Sequence, residues 1–207
     1  MTKEEVETLH WNESEIQELC KQVKQNLTPK RYKHSLGVAQ TAKELALHYG
    51  ADPEQAYIAG LVHDYAKNMK KTELIALAEK EGLLTDPIEK ELPEVLHATV
   101  GAWRLPRETK VQDPEILQAV ARHTLGDFNM TLLDKILFVA DIVEPNRDTP
   151  HLEKERRIAF QNLERAMLRS LDSTIQYCVE IGRLLHPRSV ALRNQYIREF
   201  KSLEIKK

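Results

Sequence analysis

Three residues that cap helices stand directly before proline. A Thr or Asp side chain accepts hydrogen bonds from the first free amides of a helix, and proline suits the first helical position because its fixed φ is already helical. Such a pair therefore predicts a helix start. Asn12 with Glu15, and Thr131 before an apolar segment, predict two more starts. The cap-and-proline pairs are Thr28-Pro29, Asp52-Pro53 and Asp113-Pro114.

Apolar residues follow these starts at helical spacing, and no stretch shows the sustained alternation that predicts strands. We therefore predict an all-α fold. Asp86-Pro87 is expected in a loop, and Pro187 as a break. The predicted helices reach from the first cap to about Leu27, then cover 29–50, 53–66, 72–82, a segment opened by Pro93, 114–124, 132–143, and finally 153–170, 171–185 and 189–201.

The length of 207 residues suits one domain, and 42% hydrophobic residues can supply its core. We predict an N-terminal extension over 1–13 and one domain over 14–207, with a core at about 28–147 and C-terminal helices at about 151–201 packed on it. A net charge of -2 predicts neither a nucleic-acid nor a membrane partner. Two cysteines and no visible secretion signal or membrane span predict a cytoplasmic protein.

Histidines and aspartates lie inside or beside apolar helical segments. His34 falls within the second predicted helix, His63-Asp64 follows the apolar run 58–62, and Asp141 interrupts the most apolar segment of the chain. A carboxylate there is costly unless a cation or an arginine compensates its charge. Together these residues can converge on one metal ion in a helical bundle.

Two further histidines, His97 and His123, also follow apolar residues. They are redundant for one ion but supply a second site. Adjacent helical residues point about 100° apart, so Asp64 can bind one ion and bridge to another while His63 binds only the first. Mixed imidazole and carboxylate ligands suit iron, manganese, zinc, cobalt or nickel without deciding among them.

The order His, His-Asp, Asp resembles the HD-domain metal-dependent phosphohydrolases, a helical superfamily. Longer motifs resemble one branch, the YqeK family of symmetrical bis(5′-nucleosyl)-tetraphosphatases, over about residues 14–200. These motifs are Arg31-Tyr32-Lys33-His34, His63-Asp64-Tyr65-Ala66-Lys67, His97, Arg122-His123-Thr124 and Ala140-Asp141-Ile142-Val143-Glu144-Pro145-Asn146-Arg147.

The resemblance implies an HD-domain helical bundle with two divalent metal ions, expected to be iron, and a homodimer. The expected reaction is symmetrical: diadenosine tetraphosphate, a small-molecule nucleotide substrate, is cleaved to two ADP by a metal-activated hydroxide. Asp64 would bridge the ions and serve catalysis. By the resemblance, the first ion is held by His34, His63, Asp64 and Asp141, and the second by Asp64, His97 and His123.

Side chains around the proposed ligands suggest how phosphate is bound. Lys67 is four residues after His63 and shares the metal-facing side if the helix continues; we predict that it is catalytic and binds substrate. Arg31, Thr124, Glu144 and Arg147 are the other predicted substrate contacts. Arg31 can instead pair with a structural carboxylate, and Glu144 can instead hold Arg147.

Alternative functions remain at this stage. Another HD enzyme, a nucleotide 5′-phosphatase or a cyclic-nucleotide phosphodiesterase, would share the four-residue metal set, although a phosphatase has no need of His97 and His123. An alarmone hydrolase is disfavoured, because Tyr65-Ala66-Lys67-Asn68 stands where that class carries Glu-Asp. The non-enzymatic alternative is a sensor that binds metal and nucleotide without turnover.

Overall fold

The computed structural model describes residues 11–147 and 152–204. This part of the chain contains ten α-helices, two short 3-10 helices at Pro87–Lys90 and Pro93–Val95, and no strand. None of the described helices is long and apolar enough to cross a membrane. The α-helices are α1 (Glu13–Asn26), α2 (Pro29–Tyr49), α3 (Pro53–Val62), α4 (Lys71–Lys80), α5 (His97–Glu108), α6 (Pro114–Arg122), α7 (Leu132–Val143), α8 (Leu152–Gln161), α9 (Leu163–Glu180) and α10 (Pro187–Glu204).

The predicted all-α fold is confirmed, and the caps operate as expected. The side chains of Thr28, Asp52 and Asp113 each accept amide hydrogen bonds at the start of a helix whose first residue is proline. Asn12 with Glu15 forms a capping box for α1. Gly50, at φ 75°, ends α2 in the left-handed conformation that glycine adopts without steric cost.

The core lies between α2, α3, α6 and α7, which pack on one another, with α5 against α6. Most of α7 is buried, because its apolar residues face these neighbours on nearly every side. The C-terminal helices pack on this centre as predicted: α9 lies against α7, and α10 lies against α9. The predicted extension over 1–13 stays a prediction, since residues 1–10 lie outside the described part, whereas α1 begins at Glu13.

The C-terminal boundaries were predicted wrongly. The chain turns at Asn162 rather than near residue 170, because the Asn162 side chain accepts the amide hydrogen of Arg165 and starts α9. The predicted break between the last two helices is present, but α10 begins at Pro187 itself and not at residue 189, because the missing N–H of proline costs nothing at the first helical position. Pro93 opens only a 3-10 turn, and α5 begins at His97.

The helix α3 ends at Val62, four residues earlier than predicted. The ring nitrogen Nδ1 of His63 lies 2.7 Å from the Gly60 carbonyl oxygen, the acceptor that a continuing helix would offer to the amide of Asp64. The chain continues in tighter turns, with the Lys67 amide donating to the Asp64 carbonyl at 2.8 Å. The side chain of a predicted metal ligand, His63, thus competes with the helix backbone for the Gly60 carbonyl.

The close approach of α2 and α3 depends on Gly60. A Cβ atom at this position would lie 2.6 Å from Ala39 Cα and 2.7 Å from Ala39 N, both backbone atoms that cannot swing aside. We expect Gly60→Ala to lower the free energy of unfolding by about 1–3 kcal/mol, as overpacking does elsewhere. Chemical denaturation of the full chain measures this change.

Gly101→Ala in α5 is the matched control. The nearest atom to its added Cβ would be Ala66 N at 3.7 Å, which is an ordinary contact. Alanine is also the better helix former, so stability should stay within about 1 kcal/mol of the wild type. Equal stability of the two variants would show that Gly60 does not set the spacing of α2 and α3.

Candidate metal centre

Six predicted ligands from five parts of the fold meet at one place. His34 lies on α2 and Asp141 on α7. His63 and Asp64 follow the end of α3. His97 opens α5, and His123 follows α6. His63, Asp64, His97 and His123 are buried, while His34 and Asp141 keep partial access to solvent.

The Nδ1 atoms of all four histidines contact oxygen atoms of the protein. Those of His63, His97 and His123 lie 2.7, 2.6 and 2.7 Å from the carbonyl oxygens of Gly60, Glu94 and Val120, each three residues earlier in the chain. Because a carbonyl oxygen only accepts hydrogen bonds, Nδ1 of each ring carries the proton. The Nε2 atom of each neutral ring then presents a lone pair, which is how imidazole binds a metal.

The first ligand set comprises His34, His63 and Asp141. Their ligand atoms all lie within 4.8 Å of one another. Asp141 Oδ1 is 2.9 Å from His34 Nε2 and 3.8 Å from His63 Nε2. His63 Nε2 is fully buried and has no hydrogen-bond partner among the described residues. A buried acceptor without a partner is costly, and a cation in this set would satisfy it.

The second ligand set comprises Asp64, His97 and His123. Asp64 Oδ1 is 3.1 Å from His97 Nε2 and 3.8 Å from His123 Nε2. The two Nε2 atoms lie 3.0 Å apart. Two lone pairs at that distance repel unless a cation joins them. Ligands at about 2.1 Å from an ion are about 3.0 Å apart when they subtend a right angle, so this spacing fits one shared ion.

Asp64 connects the two sets. Its Oδ1 atom faces His97 and His123, while Oδ2 lies 3.6 Å from His63 Nε2. The carboxylate therefore has one oxygen on each side, as the bridging prediction requires. We predicted that His63 binds only the first ion. Its ligand atom, however, also lies within 4.8 Å of the ligand atoms of Asp64 and His123, so it faces both sets.

The surroundings of Asp64, Asp141 and His123 favour the metal-binding forms of these three groups. Burial alone would raise the pKa of Asp64, yet His63, His97 and Lys67 hold it well below its usual range. Burial acts likewise on Asp141, where Arg147 and His34 hold the pKa well below that range. Burial and neighbouring histidines lower the pKa of His123 well below its ordinary value. These directions favour anionic carboxylates and a neutral His123.

Comparison with known proteins identifies the family. The HD domain family matches residues 31–146, which include all six of these residues. The chain belongs to the HD domain family. A Halalkalibacterium halodurans protein named "Bis(5'-nucleosyl)-tetraphosphatase, symmetrical" is 41% identical over 86% of this chain and 95% of its own length. A Bacillus subtilis protein of the same name is 41% identical over 80% of this chain and 88% of its own length.

A solved structure supports the same fold. The Clostridium acetobutylicum protein described as a "predicted HD superfamily hydrolase involved in NAD metabolism" is 35% identical to this chain. The two structures align with a TM-score of 0.85 over 91% of this chain and 98% of the other. The predicted membership in the HD-domain superfamily, within the family of symmetrical bis(5′-nucleosyl)-tetraphosphatases, is therefore confirmed.

The cations of this HD domain surround the ligands. Lys67 Nζ lies 3.1 Å from His97 Nε2 and 3.9 Å from Asp64 Oδ1. The prediction placed Lys67 here through a continuing helix; that reason was wrong because α3 ends at Val62, and the following turns bring it to the centre instead. Burial lowers the pKa of Lys67, although Asp64 and Asp141 act against that shift.

The remaining predicted contacts also gather here. Arg31 donates to Asp64 Oδ2 at 2.9 Å, so its partner is a predicted metal ligand and not a carboxylate with a purely structural role. Arg147 donates to Asp141 Oδ1 at 2.6 Å. Thr124 Oγ1 is 3.3 Å from His97 Nε2 and 3.2 Å from His123 Nε2. These side chains can support the ligands and face a bound phosphate.

The centre opens at His34 into a groove with a volume of about 650 Å³. We call it the cationic groove. Its walls come from the first two turns of α2 and from the chain after α7, and Glu144 is the only acidic residue among the described residues lining it. Its remaining lining residues are Thr28, Lys30, Arg31, Lys33, Asn146 and Arg147.

Glu144 requires a correction. We predicted a substrate contact, but its carboxylate is 1% exposed and already has partners. Oε1 lies 3.0 Å from His34 Nδ1, and Oε2 accepts from the Asn146 amide at 2.7 Å. A carboxylate behind a ligating histidine orients the ring. The structure therefore gives Glu144 a positioning role toward His34. Its backbone carbonyl also accepts the amide hydrogen of Arg147 at 3.3 Å, and its charge helps to raise the pKa of Arg147.

No role was predicted from the sequence for Gly37 and Asn146, although both help to place the Glu144 carboxylate. The Asn146 side chain donates to Glu144 Oε2 at 3.0 Å. A Cβ atom on Gly37 would lie 2.1 Å from that same oxygen, so glycine makes room for the carboxylate. A glycine inside a helix costs about 1 kcal/mol relative to alanine. The one indication of this role in the sequence is that Gly37 lies three residues after His34 on the same predicted helix.

The second ligand set can be tested by removing two of its members. We expect the double variant His97→Ala/His123→Ala to bind about one metal ion per chain where the wild type binds about two. The loss follows because Asp64 would be left as the only member of its set. Elemental analysis of protein loaded with excess manganese and then desalted measures the ratio.

His48→Ala is the control, since His48 is an exposed histidine of α2 remote from both sets. It should leave the ratio near two. His151, the other predicted control, lies outside the described residues. If the double variant also binds two ions, the second set is not a metal site.

Proposed function

We propose that this chain hydrolyses dinucleoside tetraphosphates symmetrically, with diadenosine tetraphosphate giving two ADP. The observation that carries the proposal is a carboxylate, Asp64, shared between two ligand sets beside a groove lined with cations. A phosphoanhydride needs that combination, because both the attacking water and the charged phosphates must be stabilised. The names of the close relatives support the substrate and the symmetry.

The ligand sets fit divalent ions. We assign His34, His63, Asp64 and Asp141 to one ion, and Asp64, His97 and His123 to another. Bound divalent cations would supply Lewis acidity and lower the pKa of water, which makes a nucleophile available near neutral pH. The ring orientations set by the backbone carbonyls prepare these residues for that role before substrate arrives.

Lys67 has the best position to stabilise the reacting phosphate. Its ammonium group lies against His97 and Asp64, yet its side chain is 26% exposed and so reaches the open side of the centre. Negative charge grows on the phosphate oxygens as the bond to water forms. A fixed cation at that point lowers the barrier more than it stabilises the substrate.

Arg31, Arg147 and Thr124 are assigned to substrate positioning. Each arginine has one strong contact to a ligand carboxylate while part of its side chain is exposed at the groove. An arginine has five donors, so it can hold a carboxylate and a phosphate together. Thr124 stands on the opposite side, beside His97 and His123. The phosphate chain would extend from Thr124 towards the cationic groove.

Two finer assignments complete the proposal. The expected metal is iron, by likeness to the family, and the donor set suits it together with manganese, cobalt, nickel and zinc. The expected assembly is a homodimer. Half-exposed apolar residues near the end of α9 offer a surface for a second copy, namely Tyr177, Val179, Ile181 and Leu184.

The reaction is tested by incubating iron- or manganese-loaded protein with diadenosine tetraphosphate and separating the products by chromatography. We expect ADP as the only nucleotide product, because the central anhydride bond is the one broken. AMP with ATP would contradict the position of cleavage. Tight binding without any product would instead establish the sensor alternative.

The same assay tests Lys67. We expect Lys67→Gln to lower kcat by about 10²–10³-fold, as loss of one charge-stabilising donor does in other enzymes, while two metal ions stay bound. Lys80→Gln is the control, since Lys80 is an exposed lysine at the end of α4. A Lys67→Gln enzyme with wild-type kcat would remove the lysine from the mechanism.

A further inference from the structure

Two lysines of the cationic groove have no role in the centre described above. Lys30 and Lys33 are exposed on the first two turns of α2 and line the groove. No ion pair to either lysine is found within residues 11–147 and 152–204. The other cations differ, since Arg31 and Arg147 are each bonded to a ligand carboxylate.

The charge of the groove is poorly compensated. Glu144 is the only acidic residue among the described residues lining it, and that carboxylate is turned towards His34 and Asn146. Lys30 and Lys33 also stand near the N-terminus of α2, where the helix dipole opposes cations and favours anions. The two ammonium groups would be stabilised by a multiply charged anion that extends beyond Arg31.

The groove offers more groups for phosphate than for a nucleobase. Apart from the His34 imidazole, which belongs to the first ligand set, its described lining residues are Thr, Lys, Arg, Glu and Asn, with no Phe, Tyr, Trp, Leu, Ile or Val among them. The two guanidinium groups that could stack on a base are each bonded to a ligand carboxylate. Sites that recognise a base stack it on apolar or aromatic groups, which strengthens binding by roughly 5- to 150-fold. A nucleotide placed in this groove would therefore be bound through its phosphates much more than through its base.

We propose that the nucleoside on the groove side is dispensable, so that nucleoside 5′-tetraphosphates are a second class of substrate. The proposal rests on the proposed function, because it uses the same metal centre. The two outer phosphates lie in the groove, where Lys30 and Lys33 compensate the extra charge of a terminal phosphate. A volume of about 650 Å³ also leaves room for a second nucleoside when the substrate has one.

The reaction balances as a simple hydrolysis. The oxygen of water forms a new bond to the second or third phosphorus of the chain, and the bridging P–O bond between them breaks. Adenosine 5′-tetraphosphate and one water thus give ADP and pyrophosphate. The protons released from water pass to the products and the solvent, and no oxidant or other reactant is consumed.

Both substrates are assayed in parallel on manganese-loaded protein. We expect kcat/KM for adenosine 5′-tetraphosphate within about tenfold of that for diadenosine tetraphosphate, since little base binding is lost. The expected products are ADP and pyrophosphate. If diadenosine tetraphosphate is cleaved and adenosine 5′-tetraphosphate is not, the inference is wrong and the proposed function stands. If neither is cleaved, the proposed function itself fails.

A double variant tests the two lysines. We expect Lys30→Gln/Lys33→Gln to lower kcat/KM by about tenfold or more for adenosine 5′-tetraphosphate, through the loss of charge-assisted contacts. The loss should be smaller for diadenosine tetraphosphate, which lacks a terminal phosphate. Lys30→Arg/Lys33→Arg keeps the charge and should retain most of the activity.

Lys43→Gln is the matched control on the same helix. Lys43 is exposed, carries the same charge and does not line the groove, so both substrates should react as with the wild type. An equal loss for the two substrates in the double variant would contradict a role in terminal-phosphate binding. Release of ATP and phosphate would contradict the placement of two phosphates in the groove.

Discussion

The hydrogen bonds that hold the histidine rings are the interaction on which this structure depends. Three of the rings are tied through Nδ1 to carbonyl oxygens of their own chain, three residues earlier. His34 is tied to Glu144 instead. These contacts settle both the proton position and the direction of each ring, so four Nε2 atoms face the carboxylates of Asp64 and Asp141.

The same hydrogen bonds shape the helices. The His63 ring donates a hydrogen bond to the Gly60 carbonyl where α3 ends. The His123 ring donates to the Val120 carbonyl in the same way where α6 ends. The short turns that follow bring Lys67 and Thr124 to the centre. The helices lose backbone hydrogen bonds at these points, but the turns that replace them bring ligands from several helices to one site. Such a trade is common where function overrides local structural preference.

Much of this was predictable because it depends on local chemistry. Capping residues before proline predict helix starts, since the hydrogen bonds form within one turn. His34 and the His63-Asp64 pair were recognisable from their setting and motifs. The end of α3 at Val62 was not predictable from periodicity, because apolar spacing continues past it while a side chain takes the carbonyl. Asn162 was missed for the same reason, because the apolar pattern runs across it and a side chain starts the new helix.

Contacts between distant segments were harder to predict. Glu144 meets His34 across 110 positions of sequence, and only the packing of α2 against α7 makes that contact. Gly37 and Asn146 serve the same carboxylate, yet neither bears a metal-binding group. The ligands themselves carry recognisable chemistry, whereas the residues that orient them are defined by position alone.

Anomalous diffraction from crystals loaded with manganese, recorded on both sides of the manganese absorption edge, tests the shared-carboxylate centre most directly. We expect two peaks, one among His34, His63 and Asp141 and one beside His97 and His123, with the Asp64 carboxylate between them. Two-metal sites of this kind are separated by about 3.5–4 Å. A single peak at full loading, or a second peak that His97 and His123 do not contact, would contradict the shared-carboxylate centre.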